Sequence, residues 1–173
     1  MMNQIPTKTF STIQEIKISS SLGWKVVSAS GARDCLPGDV EGPEWLGECK
    51  THTKRTARVA FLFDVWTKIS NEATSHFKRP VLFVDDGSQL LEYTWCIIPA
   101  CDHEGVSVPF PPTAKLYSIK TNISFASNSL RKYLHDLNDS ENWEDNYIST
   151  LWHGQPVHLL RFSQFARWFG EPT

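Results

Sequence analysis

Three side chains within a short stretch offer this chain its clearest chemistry. Asp39 follows a Pro37-Gly38 turn, and Glu48 and Lys50 stand nine and eleven residues further on. In an extended strand alternate side chains share a face, so Glu48 and Lys50 project the same way. A turn that returns Asp39 to that strand gathers two carboxylates and an ammonium at one spot. Such a group can hold Mg²⁺ or Mn²⁺ and activate water against a phosphodiester. Each part has an ordinary reading by itself. Pro-Gly-Asp is a common turn, and Glu-x-Lys is a common strand salt bridge. Their joint spacing favours the chemical reading.

Cations surround this stretch. Lys54, Arg55 and Arg58 follow the pair, Arg33 precedes Asp39, and His52 continues the strand pattern beyond Lys50. These residue types position phosphates. Residues 1–80 carry 11 Lys/Arg against 8 Asp/Glu, and residues 81–173 carry 6 against 11. The positive excess therefore lies in the half with the candidate site. The net charge of −2 argues against indiscriminate polyanion binding.

The elements that must position these groups follow from pattern. Ser11 or Thr12 reads as a helix cap, with Gln14 or Glu15 completing a capping box, and Gly23 ends that helix. Trp24–Ser28, Asp39–Glu41 and Trp45–His52 read as strands. Thr56–Phe77 reads as one amphipathic helix, because Val59, Leu62, Trp66, Ile69 and Ala73 recur at spacings of three and four. Asp64, Lys68 and Glu72 lie four apart on another face and can pair. Val81–Val84 and Leu90–Ile98 read as strands around an Asp85-Asp86-Gly87 turn. Further on come a strand over Lys115–Phe125, a helix over Asn128–Leu137, a strand over Val157–Leu160 and a last helix capped by Ser163. The expected fold class is α/β (α+β), a mixed central sheet flanked by helices. The expected organisation is a core over residues 1–98, a Pro-containing loop over 99–114, and a C-terminal extension over 115–173. That extension either packs on the core or forms a dimer interface.

The chain has 173 residues, ten Phe and seven Trp, enough for one domain with a sizeable core. No run of about 18 apolar residues suggests a membrane span, and no signal-peptide pattern opens the chain. A cytoplasmic location with reduced cysteines is therefore expected. Cys96, Cys101 and His103 lack a fourth neighbour for a closed zinc site.

Helix, short strand, Pro-Gly-Asp, strand with Glu-x-Lys, then helix resembles the PD-(D/E)xK nuclease superfamily. Gly23 to Gly31 leading into Pro37-Gly38-Asp39, and Lys78 to Val84 after the amphipathic helix, look like Holliday-junction-resolvase-type enzymes of phages and archaea. The resemblance covers roughly residues 10–98. It implies a restriction-endonuclease-like core, Mg²⁺-dependent hydrolysis of DNA, branched or junction substrates, and a homodimer. It also implies roles. Asp39 and Glu48 match the family's metal carboxylates, and Lys50 matches the lysine that orients water or stabilises developing charge. Glu15, or Gln14 in a register shifted by one, matches the acid of the first helix, a third metal ligand. A sequence-specific or nicking endonuclease and a non-catalytic binding module remain as alternatives.

Overall fold

The structure is a computed structural model, and it describes residues 7–27, 37–100, 112, 114–115, 118–136 and 146–171. In chain order the helices are α1 (Thr7–Leu22), α2 (Phe63–Ser75), α3 (Ser127–Asp136) and α4 (Phe162–Phe169). The first five strands are β1 (Lys25–Val26), β2 (Val40–Glu41), β3 (Trp45–Lys50), β4 (Arg58–Phe61) and β5 (Arg79–Val84). The rest are β6 (Trp95–Pro99), β7 (Ala114–Lys115), β8 (Ile123–Ala126), β9 (Ile148–Trp152) and β10 (Gln155–Arg161).

The fold is α+β. Eight strands form one mixed sheet in the order β1-β2-β3-β5-β6-β10-β9-β7, and β4 and β8 form a separate antiparallel pair. β3 and β5 run parallel, with Trp45 opposite Arg79 and Lys50 opposite Val84. Both are buried along nearly their whole length because the sheet is covered on both faces. Strand alternation sorts the core into two clusters. Leu46, Leu82, Val84 and Ile97 pack with Trp66, Ile69 and Ala73 of α2 and with Val59 and Phe61 of β4. Trp45, Cys49, Val81 and Phe83 point the other way, onto Ile18 and Leu22 of α1 and Phe162 and Phe165 of α4. Burying one side chain such as Ile69 contributes roughly 1.5–3 kcal/mol. The second cluster is tied by edge-to-face rings, with Phe165 at 5.2 Å from Trp45 and 5.3 Å from Phe83.

Several boundaries differ from the sequence reading. The segment expected as one helix from Thr56 to Phe77 divides into β4 and α2, joined at Leu62. Val59 is buried, yet against Phe125 of β8 in strand register. Helix α1 begins at Thr7, so Ser11 and Thr12 lie inside it and neither is its cap. Strand β3 ends at Lys50, which leaves His52 beyond the strand. A 3-10 turn over Leu91–Tyr93 precedes β6. Ser163 lies inside α4, whose cap position is Arg161. Residues 114–161 supply β7, β9 and β10 to the same sheet as the N-terminal strands, with β10 paired to β6. No helix among the described residues is long and apolar enough to cross a membrane.

Candidate active site

The candidate site forms where β3 loses its neighbour. Strand β2 covers only Leu46 and Gly47, and the edge of β3 beyond Gly47 is left to other groups. The Pro37-Gly38-Asp39 turn supplies one. Gly38 has φ +84°, and a Cβ there would meet Leu46 and the Gly47 carbonyl oxygen at 3.0–3.1 Å. Glycine is therefore required for the chain to return this closely to β3. The backbone N–H of Asp39 then donates to the Gly47 carbonyl at 2.8 Å. Its carboxylate Oδ2 accepts the Cys49 N–H at 2.8 Å, taking the place of a strand partner.

Glu48 and Lys50 share the face of β3 that turns toward α2. The Lys50 Nζ donates to Glu48 Oε1 at 2.5 Å. Lys68 of α2 approaches the other oxygen, Oε2, at 3.9 Å, and pairs with Glu72 at 3.7 Å. Glu48 is buried, while half of the Lys50 side chain reaches solvent. From the opposite face α1 contributes two groups. Gln14 is buried, and its Nε2 donates to the Lys50 carbonyl at 3.2 Å. Its Oε1 is buried with no hydrogen-bond partner among the described residues. Glu15, freed from any capping role, lies within electrostatic range of Asp39 and Glu48.

The electrostatics record this crowding. Burial raises the Asp39 carboxyl above its ordinary value, and the Glu48 charge raises it further, against the Cys49 N–H and the Lys50 and Lys68 charges. Burial and the Asp39 and Glu48 charges likewise raise Glu15. For Lys50, burial acts downward, but the hydrogen bond and charge of Glu48 outweigh it, and the net shift is upward. The ammonium is thus held in its charged form at neutral pH.

Among the described residues, no three His, Cys, Asp or Glu side chains come together as a ready-made metal cage. Mg²⁺ does not require one. It usually takes one or two carboxylates, keeps several waters, and prefers oxygen ligands. Asp39 and Glu48, with Glu15 and the unpartnered Gln14 Oε1 nearby, are an all-oxygen set with excess negative charge. That set fits such an ion.

The cationic residues separate. Lys54 and His52 are exposed. The Arg55 Nε donates to Asp86 Oδ2 at 3.2 Å, and its guanidinium lies 4.8 Å from the Tyr93 ring centroid. Arg131 of α3 lies 5.1 Å from the same ring. Two arginines distant in sequence thus meet over one tyrosine. Arg58 donates to the hydroxyl and carbonyl of Ser124 on β8 and remains exposed. Arg33, Cys101 and His103 lie outside the described residues.

Two contributors carried no direct signal in the sequence. Lys68 reads as half of a helical i,i+4 pair, and nothing local announces its approach to Glu48. Asp85 reads as a turn acid, yet it is fully buried. Its Oδ1 accepts the Thr51 hydroxyl at 2.6 Å and the Gly87 N–H at 2.8 Å, anchoring the chain just after Lys50. Burial raises its carboxyl.

No protein-family model, no curated protein and no solved structure matches this chain.

Proposed function

We propose that the chain is a metal-dependent DNA endonuclease of the PD-(D/E)xK type, acting at the β3 edge. The observation that carries this reading is the meeting of the part-buried Asp39, the buried Glu48 and the half-exposed Lys50 where β3 loses its strand partner, with Glu15 within electrostatic range. Asp39 and Glu48 would hold the divalent ion, with Glu15 or the Gln14 carbonyl oxygen as the further donor. When bound, Mg²⁺ lowers the pKa of water and offsets phosphoryl charge. The Lys50 ammonium, kept charged by Glu48, serves as electrostatic stabiliser of the negative charge that builds on the phosphoryl oxygens. An ammonium paired this closely with a carboxylate is a poor proton acceptor at neutral pH. Glu48 fixes the ammonium from one side, and Thr51, held by Asp85, fixes the backbone that follows. Arg55, Arg58, Arg131 and Lys54 provide the phosphate contacts that orient the duplex.

The resemblance to junction resolvases adds a substrate and an assembly: branched DNA cut by a two-fold dimer, since two coordinated incisions suit a symmetric pair. The test is cleavage of a synthetic four-way junction, a flap and a linear duplex with Mg²⁺, by wild type and Asp39→Asn. Junction cleavage that needs both metal and Asp39 is the expected result. Preference for a linear site would point to a sequence-specific or nicking enzyme. Metal binding without cleavage of any substrate, or undiminished cleavage by Asp39→Asn, would overturn the reading. Light scattering with and without junction DNA tests the dimer.

A further inference from the structure

Beside Lys50 the fold leaves a cavity of about 210 Å³. Ala60, Val65, Leu82 and Val84 give it apolar lining, and Lys50, Thr51 and His52 give it polar lining. Leu62 lines it as well and is 44 % exposed. Leu62 is also the N-cap residue of α2, where no side-chain cap exists. Helix physics favours Ser, Thr, Asn or Asp at such a position and disfavours leucine. Here an apolar side chain stands nearly half in water while lining a cavity that the candidate site's lysine also lines. The cavity has room for a small apolar group, and Lys50 in its lining attracts an anion to which such a group can be attached.

We infer that this cavity receives one unpaired nucleobase adjacent to the phosphate at Lys50, which makes the enzyme selective for DNA with an unpaired nucleotide at the cut. This rests on the nuclease reading and specifies its substrate. Its volume lies below the roughly 300–1,000 Å³ of pockets for drug-sized ligands, which suits one ring system and no more. A phosphate drawn to the Lys50 ammonium carries its own base within reach of the opening. A paired base stays in the stack, whereas an unpaired or mismatched one leaves it most easily. Of the polar lining groups, Thr51 already gives its hydroxyl to Asp85 and Lys50 is held by Glu48 and kept for the phosphate, so the cavity selects for strand opening more than for base identity. A branch point supplies such nucleotides.

Two measurements on the full-length protein test the proposal. The first places 2-aminopurine in a duplex as a single unpaired nucleotide and, separately, in the fully paired duplex, with Ca²⁺ replacing Mg²⁺. Wild type should raise the fluorescence of the unpaired probe, as the base leaves its stacked neighbours, and leave the paired probe unchanged. Leu62→Asp should abolish that rise. It adds a helix cap and needs no core repacking, so it should fold, and its charge repels the incoming nucleotide. The second compares cleavage rates with Mg²⁺. Wild type should favour the substrate with an unpaired nucleotide by about 10-fold or more, chiefly through KM, and Leu62→Asp should bring the ratio close to one. The bulkier Ala60→Trp, which fills the cavity, should do the same. Equal cleavage of both substrates by wild type, or a fluorescence rise retained in Leu62→Asp, overturns the cavity proposal and leaves the nuclease reading standing. No Mg²⁺-dependent cleavage at all overturns the nuclease reading, and the fluorescence result then judges the cavity by itself.

Discussion

Two lysine–glutamate pairs stand at opposite ends of the parallel strands β3 and β5. At the N-terminal end the Lys78 Nζ lies 2.8 Å from Glu41 and donates to the Gly42 carbonyl at 2.6 Å. Arg79 beside it pairs with Glu44 at 3.4 Å. Each cation there has its own anion, and the corner closes the β2–β3 connection onto the end of α2. At the C-terminal end Lys50 and Lys68 both approach Glu48, and Asp39 and Glu15 add two further carboxylates within electrostatic range. The residue types are the same, and the balance differs. A neutralised pair holds structure together. A group with more carboxylates than cations, part-buried raised acids and solvent access is poised to take a cation. An ion pair by itself is thus weak information about function; the excess around it is what separates the two ends.

The contrast can be broken by crossed substitutions. Asp39→Asn should lower Mg²⁺-dependent cleavage by about 10²-fold or more, the loss of a few kcal/mol of metal-supplied stabilisation. A charge-removing substitution at the other end, Lys78→Met, should leave cleavage within about twofold and instead lower stability by about 1.5–3 kcal/mol, since it strips charged hydrogen bonds from a largely buried corner. Steady-state kinetics and denaturant melts on both variants check the pair. Reversed outcomes would mean that the two ends have been assigned the wrong way round.

A smaller effect has a definite sign. An acid whose folded pKa is raised binds its proton more tightly folded than unfolded. It therefore lowers stability above its folded pKa, and that loss fades as pH falls to its unfolded value, about 3.9 for Asp. Asparagine still accepts the Cys49 N–H through its carbonyl oxygen and carries no charge. Asp39→Asn should then melt higher than wild type at pH 7, with about 2–4 °C for each kcal/mol gained. The advantage should vanish near pH 4. A variant that gains stability as it loses activity marks a position kept for function. An equal or lower Tm at pH 7 would deny that the site is charge-strained.

Metal binding shares this linkage. Divalent ions take the deprotonated carboxylates, so Mn²⁺ affinity should weaken as pH falls through the raised values of Asp39 and Glu15, with proton release on binding. Calorimetry in buffers of different ionisation enthalpy reads that release. The smallest effect concerns the arginines over Tyr93. Arg131→Ala should weaken DNA binding uniformly across sequences and reduce the slope of log affinity against log salt by about 1. An unchanged slope would remove α3 from the DNA surface.

The sequence made part of this legible because the signals were local. Pro37-Gly38-Asp39 needed only a turn and a glycine, and Glu48-x-Lys50 needed only strand periodicity. The α2 stripe of Trp66, Ile69 and Ala73 followed from helical spacing. The misreadings came from coincidence and distance. Val59 and Leu62 happen to continue the helical spacing of Trp66, which hid the four-residue strand β4. Its partner β8 is more than sixty residues away in sequence, so no local pattern could reveal the pairing. Ser11 and Thr12 resembled caps because residue type alone does not say where a helix begins. Lys68 near Glu48, and Arg131 beside Arg55, depend on tertiary packing and leave no trace in spacing.

The most direct test is anomalous diffraction from crystals soaked in Mn²⁺. A single strong peak between the Asp39 and Glu48 carboxylates, with Glu15 or Gln14 completing the protein ligands, is the predicted result. Absence of a peak there while Mn²⁺ binds at another position, such as the Asp85–Asp86 turn, would contradict the assignment of the β3 edge as the catalytic centre.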